Sequence, residues 1–108
     1  MGVHCTWPLQ VYHIEYTPLE WAVVPERSAS RCYLKLLCDA SDSERLVGVH
    51  MVGEGASEIV PGFALSLRLG ATKADLDDTI GVHPTCSETL HTMTITKRSG
   101  LDAAKGGC

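Results

Sequence analysis

His83 and Glu88 stand five positions apart in Gly81-Val82-His83-Pro84-Thr85-Cys86-Ser87-Glu88. An imidazole just ahead of a helix can have one ring nitrogen held by such a carboxylate. That contact raises the basicity of the ring and leaves the other nitrogen to move protons. The same residues admit a structural role. Thr85-x-x-Glu88 is a capping-box pattern, which would turn Glu88 toward the helix start and leave His83 in solvent. Spacing alone favours that second role.

Other chemistry-bearing residues form weaker patterns. Gly53-Glu54-Gly55-Ala56-Ser57-Glu58 suggests a dinucleotide loop but lacks the third glycine, and Glu58 would set negative charge where a pyrophosphate should lie. With no parallel βαβ unit around it, it reads as a glycine turn entering a helix. His4, Cys5, His13 and His50 match no zinc spacing, so no metal site is expected. The cysteines are five, at positions 5, 32, 38, 86 and 108. In Arg31–Cys38, alternation puts Cys32, Leu34, Leu36 and Cys38 on one face of a strand. The two sulfur-bearing residues are then separated by about 20 Å, beyond disulfide reach. Both read as small buried hydrophobes. Cys108 ends the chain behind Gly106-Gly107, an exposed thiol with no packing role.

The elements that must position these residues change character halfway. Residues 11–24 (VYHIEYTPLEWAVV) are aromatic and β-branched, which predicts an extended segment, an edge strand or one bulged at Pro18. A turn at 25–30 leads to a second strand over 31–38 and a polar turn at 39–43. Arg45 to Val52 is apolar on both faces, the pattern of a covered central strand. The three strands predict an antiparallel meander. Ile59, Phe63 and Leu67 then repeat at helical spacing up to Gly70, with Pro61 expected to delay or kink the helix. Thr72 suits the N-cap of a short helix through Ile80 closed by Gly81. A third helix is expected from Thr85 to Arg98, its face formed by Leu90, Met93 and Lys97 and its end by Gly100. The tail 101–108 is Gly-rich and expected to be mobile. The fold class is therefore α+β: an antiparallel β-meander followed by three helices.

Composition narrows the function. The 108 residues carry 9 Lys+Arg and 13 Asp+Glu, a net charge of −4 without a basic block, which argues against nucleic acid as a partner. The length supports one domain and is too short for a complete dinucleotide-dependent enzyme. Ile59–Leu69, the most apolar stretch, is interrupted by Pro61, Gly62, Ser66 and Arg68, so no membrane span is expected. The N-terminus lacks the order of a secretory signal, and the cysteine usage fits a reducing compartment.

Residues 11–108 resemble the C-terminal dimerisation (interface) domain of the FAD- and NADPH-dependent pyridine nucleotide–disulfide oxidoreductases. The resemblance rests on PLEW at 18–21, RCYLKLLCD at 31–39, ERLVGVHMVG at 44–53, GFALSLRLGATKADLDDTIGVHPT at 62–85 and the HPT-x-x-E spacing. Glutathione reductases share much of this and end soon after the third helix. The continuation TITKRSGLDAAKGGC is similar to high-molecular-weight thioredoxin reductases and thioredoxin–glutathione reductases. Residues 1–10 carry no matching motif, which gives an unmatched start, an interface domain over 11–100 and a redox tail over 101–108.

The resemblance implies roles for individual residues. His83 would be an acid/base that crosses the dimer to serve the partner subunit's flavin-proximal dithiol, with Glu88 as its orienting carboxylate. The His83-Pro84 peptide would be cis and flavin-proximal. Cys108 would be the redox cysteine of the tail, ending where selenocysteine comes next, as a UGA codon read as a stop would produce. FAD and NADPH would belong to the full-length enzyme and none would be bound by this chain alone, since it has no flavin-binding glycine motif and no CxxxxC pair. The partners implied are a second copy, in a homodimer, and thioredoxin or a related disulfide; the location is cytoplasmic or mitochondrial. A glutathione-reductase-type domain and a non-catalytic dimerisation module are the alternatives.

Overall fold

The computed structural model describes residues 8–106. Three strands, β1 (Leu9–Tyr16), β2 (Cys32–Asp39) and β3 (Arg45–Val52), pair antiparallel in the order β1-β2-β3. The expected meander is present, and so is the α+β class. The alternation read in β2 is realised fully: Cys32, Leu34, Leu36 and Cys38 are all buried on the face that carries the core. Ile14 of β1 and Met51 of β3 lie opposite Leu34 on that same face.

The central strand is β2, not β3. β3 is an edge, with Val47 and Val52 exposed and a register shift between Leu37 and Cys38. Its continuous apolar run thus reflects one covered face and one open face. The other edge is closed by the returning chain. The His13 amide donates to the Ile95 carbonyl at 3.0 Å, Tyr12 bridges Thr96, and Arg98 reaches the Leu9 carbonyl at 3.2 Å. Covering an edge in this way removes its unpaired backbone groups as a template for foreign strands. The segment from Leu101, expected to be mobile, forms a 3₁₀ turn at Ala103–Gly106 that packs on β1, with Ala103 buried.

The strand expected over 11–24 ends at Tyr16. Pro18 opens a one-turn helix, α1 (Leu19–Ala22), with the Trp21 amide bonded to the Pro18 carbonyl at 2.9 Å. A proline lacks the N–H that a helix start leaves unpaired, so the aromatic and β-branched propensity of this stretch yields to it. The Arg31 guanidinium then ties the following turn to the Thr17 hydroxyl at 3.0 Å and to the Ser30 carbonyl at 3.1 Å.

Gly53 and Gly55 carry the chain from β3 into α2 (Ala56–Arg68), with φ of 149° and 71°. A Cβ at Gly53 would lie 2.4 Å from the Cys32 sulfur, so this turn must run directly over the central strand. α2 presents Ile59, Phe63 and Leu67 to the core as the spacing requires. It starts before Pro61 and not after it. The carbonyl that Pro61 cannot pair belongs to Ser57, an exposed residue, so water can satisfy it.

α3 (Lys73–Asp77) begins at Thr72 as expected and stops short of Ile80. A full capping box closes its start: the Asp75 amide donates to Thr72 Oγ1 at 3.2 Å and the Thr72 amide to Asp75 Oδ2 at 2.8 Å. Lys73 is buried, its ammonium paired with Asp77 and 4.6 Å from the centre of the Tyr12 ring. The third helix is much shorter than expected. A 3₁₀ turn spans Ser87–His91, and the chain beyond it is extended up to a second 3₁₀ turn at Lys97–Ser99. Met93 and Ile95 are both buried while Thr92 and Thr94 are exposed, an alternation of two that suits pairing with β1 better than a helix.

Candidate functional site

The loop between α3 and the Ser87–His91 turn holds the residues singled out by spacing. The His83-Pro84 peptide is cis. His83 Nδ1 lies 2.8 Å from Glu88 Oε1. An ionised carboxylate only accepts, so Nδ1 carries the proton and Nε2 is the free nitrogen. The His83 side chain is 78% exposed and that of Glu88 27% exposed. An ion pair so open to solvent contributes about 1 kcal/mol at most to stability, so the contact sets the ring's orientation more than it holds the fold.

Of the two roles open to Glu88, the orienting one is present and the capping box is only half formed. Its backbone amide donates to Thr85 Oγ1 at 3.3 Å, the capping half of the box, while its carboxylate goes to the imidazole. The spacing could not separate the two because the Thr85 half of the box forms whichever way the Glu88 carboxylate turns.

A cleft of about 540 Å³ opens beside the pair. Its one wall is His83, Pro84, Thr85, Cys86 and Glu88, and its other is Tyr16 to Glu20 with Ile14. α1 therefore matters to the site, because its Leu19 and Glu20 form part of the facing wall. The Tyr16 hydroxyl is buried there with no hydrogen-bond partner, and burial drives its ionisation far above the ordinary phenol range. Burial and then the Glu20 carboxylate push the Cys86 thiol up, while burial and then Glu44 push Cys38 up to about 11. Cys32, Cys38 and Cys86 are free thiols. Raised thiols are poor nucleophiles at neutral pH, which counts against thiol chemistry at Cys38 and Cys86.

The remaining candidates are apart from this cleft. His13 and His50 flank Lys35 across the sheet, and His13 Nδ1 is 2.9 Å from the Tyr33 hydroxyl. His4, Cys5 and Cys108 lie outside the described residues. Among the described residues no three His, Cys, Asp or Glu side chains converge, and no helix is long and apolar enough to cross a membrane. The glycine turn at 53–55 is filled by Cys32 and offers no cradle for a pyrophosphate. These residues alone do not fit a complete flavin or nicotinamide site.

The model of the pyridine nucleotide-disulphide oxidoreductase dimerisation domain matches residues 4–94. The chain belongs to this family. The match takes in α1, the cis-proline loop and the His83–Glu88 pair, and it begins inside the first ten residues, where no motif was read. Over 100 residues the dimerisation domain is 46% identical to thioredoxin reductase SEP1 of Emiliania huxleyi, covering 93% of this chain and 20% of that protein. The chain thus spans about a fifth of the length of this curated relative.

Sequence reasoning passed over two contributors to the dimerisation domain's site. Tyr16 reads from the sequence only as a strand residue, although it lines the cleft with its hydroxyl buried. Gly81 was read only as a helix terminator, whereas a Cβ there would meet Glu88 at 2.6 Å. Neither contact leaves a local signal, since each depends on a partner distant in sequence or on the path of the backbone.

Proposed function

We propose that this chain is the interface domain of an FAD- and NADPH-dependent thioredoxin reductase, in which His83 works as acid/base and Glu88 orients it. The observation that carries the reading is the 2.8 Å contact between His83 Nδ1 and Glu88 Oε1, with the other ring nitrogen open. The likeness to a thioredoxin reductase supports the choice of electron acceptor. Flavin, reduced by NADPH, would supply the electrons from the remainder of a longer protein. The domain's own part is proton management. When a dithiol of the partner subunit attacks a substrate disulfide, protonated His83 Nε2 gives its proton to the departing thiolate. Glu88 keeps the ring aimed and stabilises its positive charge in the interval.

Cys108 belongs in this reading to the C-terminal redox tail that carries electrons onward. The unit is a homodimer, its domain runs over 11–100 with the tail at 101–108, and its location is cytoplasmic. The isolated chain, without flavin or a flavin-proximal dithiol, is inactive.

Two measurements test this. In a flavoprotein carrying this domain, His83→Gln should lower disulfide turnover by about 100- to 10,000-fold, as loss of a general acid/base does; unchanged turnover would overturn the role of His83. The 108-residue chain should show no flavin spectrum and no NADPH-dependent reduction of a disulfide dye. Activity of the chain alone would sink the composite-site reading.

A further inference from the structure

We infer that Thr85 and Gly81 are the positioning residues that hold Glu88 against His83, an assignment that rests on the acid/base reading of the pair and extends it. Thr85 has one hydroxyl proton and two acceptor sites, and the loop uses all three. Its proton goes to the Val82 carbonyl at 2.5 Å. Its oxygen accepts from the Glu88 amide at 3.3 Å and lies 3.1 Å from Ser87 Oγ. With the Thr85 proton already committed to Val82, Ser87 must be the donor in that contact. One side chain thus fastens the loop before His83 to the turn that carries Glu88.

Gly81 acts from the opposite side. A Cβ at this position would fall 2.6 Å from Glu88 Cβ and 3.1 Å from Glu88 Cα. The neighbour is backbone and the root of a side chain, so it cannot swing aside as the tip of a long side chain would. Any residue larger than glycine must push the Glu88 Cα outward and carry the carboxylate with it. The carboxylate reaches the ring across 2.8 Å, a contact that a displacement of a few tenths of an ångström already weakens. Thr85 draws Glu88 in and Gly81 leaves the room, and both meet on the same residue.

The imidazole reports on this directly. A neutral ring carries its proton mainly on Nδ1 where a partner holds it there, and mainly on Nε2 otherwise. In the ¹⁵N-labelled 108-residue chain, observed above the imidazole titration range and assigned with His83→Gln, His83 should be mainly the Nδ1–H tautomer. Glu88→Ala should make the Nε2–H tautomer the major species. Thr85→Val, which keeps the shape and removes the hydroxyl, and Gly81→Ala should each cause the same change, and Thr85→Ser should restore the wild-type spectrum. If Glu88→Ala shifts the tautomer while Thr85→Val and Gly81→Ala leave it unchanged, the positioning roles are wrong and the pair stands. If wild type already shows the Nε2–H form and Glu88→Ala changes nothing, the pair itself is refuted, and the positioning roles with it.

Discussion

Gly53 shows how little room the domain leaves at single residues. Its φ of 149° lies where side chains rarely sit, and a Cβ would be 2.4 Å from Cys32 Sγ and 2.6 Å from Cys32 Cβ. Cys32 is fully buried in the central strand and cannot move without disturbing β2. Gly53→Ala therefore combines overpacking with backbone strain and should cost about 2 kcal/mol. Urea unfolding should show this as a lower midpoint at unchanged slope; a midpoint equal to wild type would show that the turn can lift off the sheet. The contrast with His83 is one of purpose. Cys32 is fixed by packing from all sides, whereas His83 stands in solvent and is fixed by a single carboxylate.

At the scale of elements, α3 has only five residues and depends on its start. Removing the Thr72 hydroxyl takes away half of the capping box, so Thr72→Ala should destabilise the domain by about 1 kcal/mol. Asp75 gives this element an acid dependence. The Thr72 amide and then its hydroxyl hold the Asp75 carboxyl below the usual carboxylate range, as the Ser41 hydroxyl and amide do for Asp39. A depressed carboxyl stabilises the fold above its unfolded pKa of about 3.9, and that contribution is lost as pH falls through the lower folded value. Stability should therefore fall below about pH 4, and less steeply in Thr72→Ala, in unfolding curves taken on both sides of that pH. Equal pH slopes for the two proteins would refute the coupling. The cap and β2 were legible in the sequence because each rests on a local pattern, a hydroxyl before an acidic first turn or an alternation of apolar residues, whereas the apolar run of β3 marked a strand without marking it as an edge. α1 was hidden because its residues favour strands individually and only Pro18 signals the turn. The third helix was misread because Thr85-x-x-Glu88 and the spacing of Leu90 and Met93 outweighed the alternation of 92–96. What decides that segment is pairing with β1, a partner about eighty residues away in sequence. The His83–Glu88 contact was legible as a possibility and not as a choice, since the backbone and side chain of Glu88 answer to different partners.

For the whole molecule, the exposure around His83 raises the question of what the site faces. Ile80 is 94% exposed and Val82 70% exposed, two apolar side chains immediately ahead of an imidazole that is itself in solvent. If His83 serves the partner subunit's dithiol, Ile80 and Val82 must approach the same partner, because a chain spans only about 3.5 Å per residue. Their exposure in the single chain is then surface that association covers. Contacts through the sheet and through the 87–98 segment would complete the interface. Sedimentation equilibrium should show a concentration-dependent dimer, and Ile80→Asp should weaken it at least tenfold, about 1.4 kcal/mol, by placing a charge in a closing apolar contact. Since Ile80 packs little within its own chain, the same variant should unfold at the wild-type midpoint, which separates an interface effect from a folding one. A chain that stays monomeric at high concentration, or a dimer indifferent to Ile80→Asp, would move the interface away from His83 and break the link between dimerisation and proton transfer on which the composite site depends.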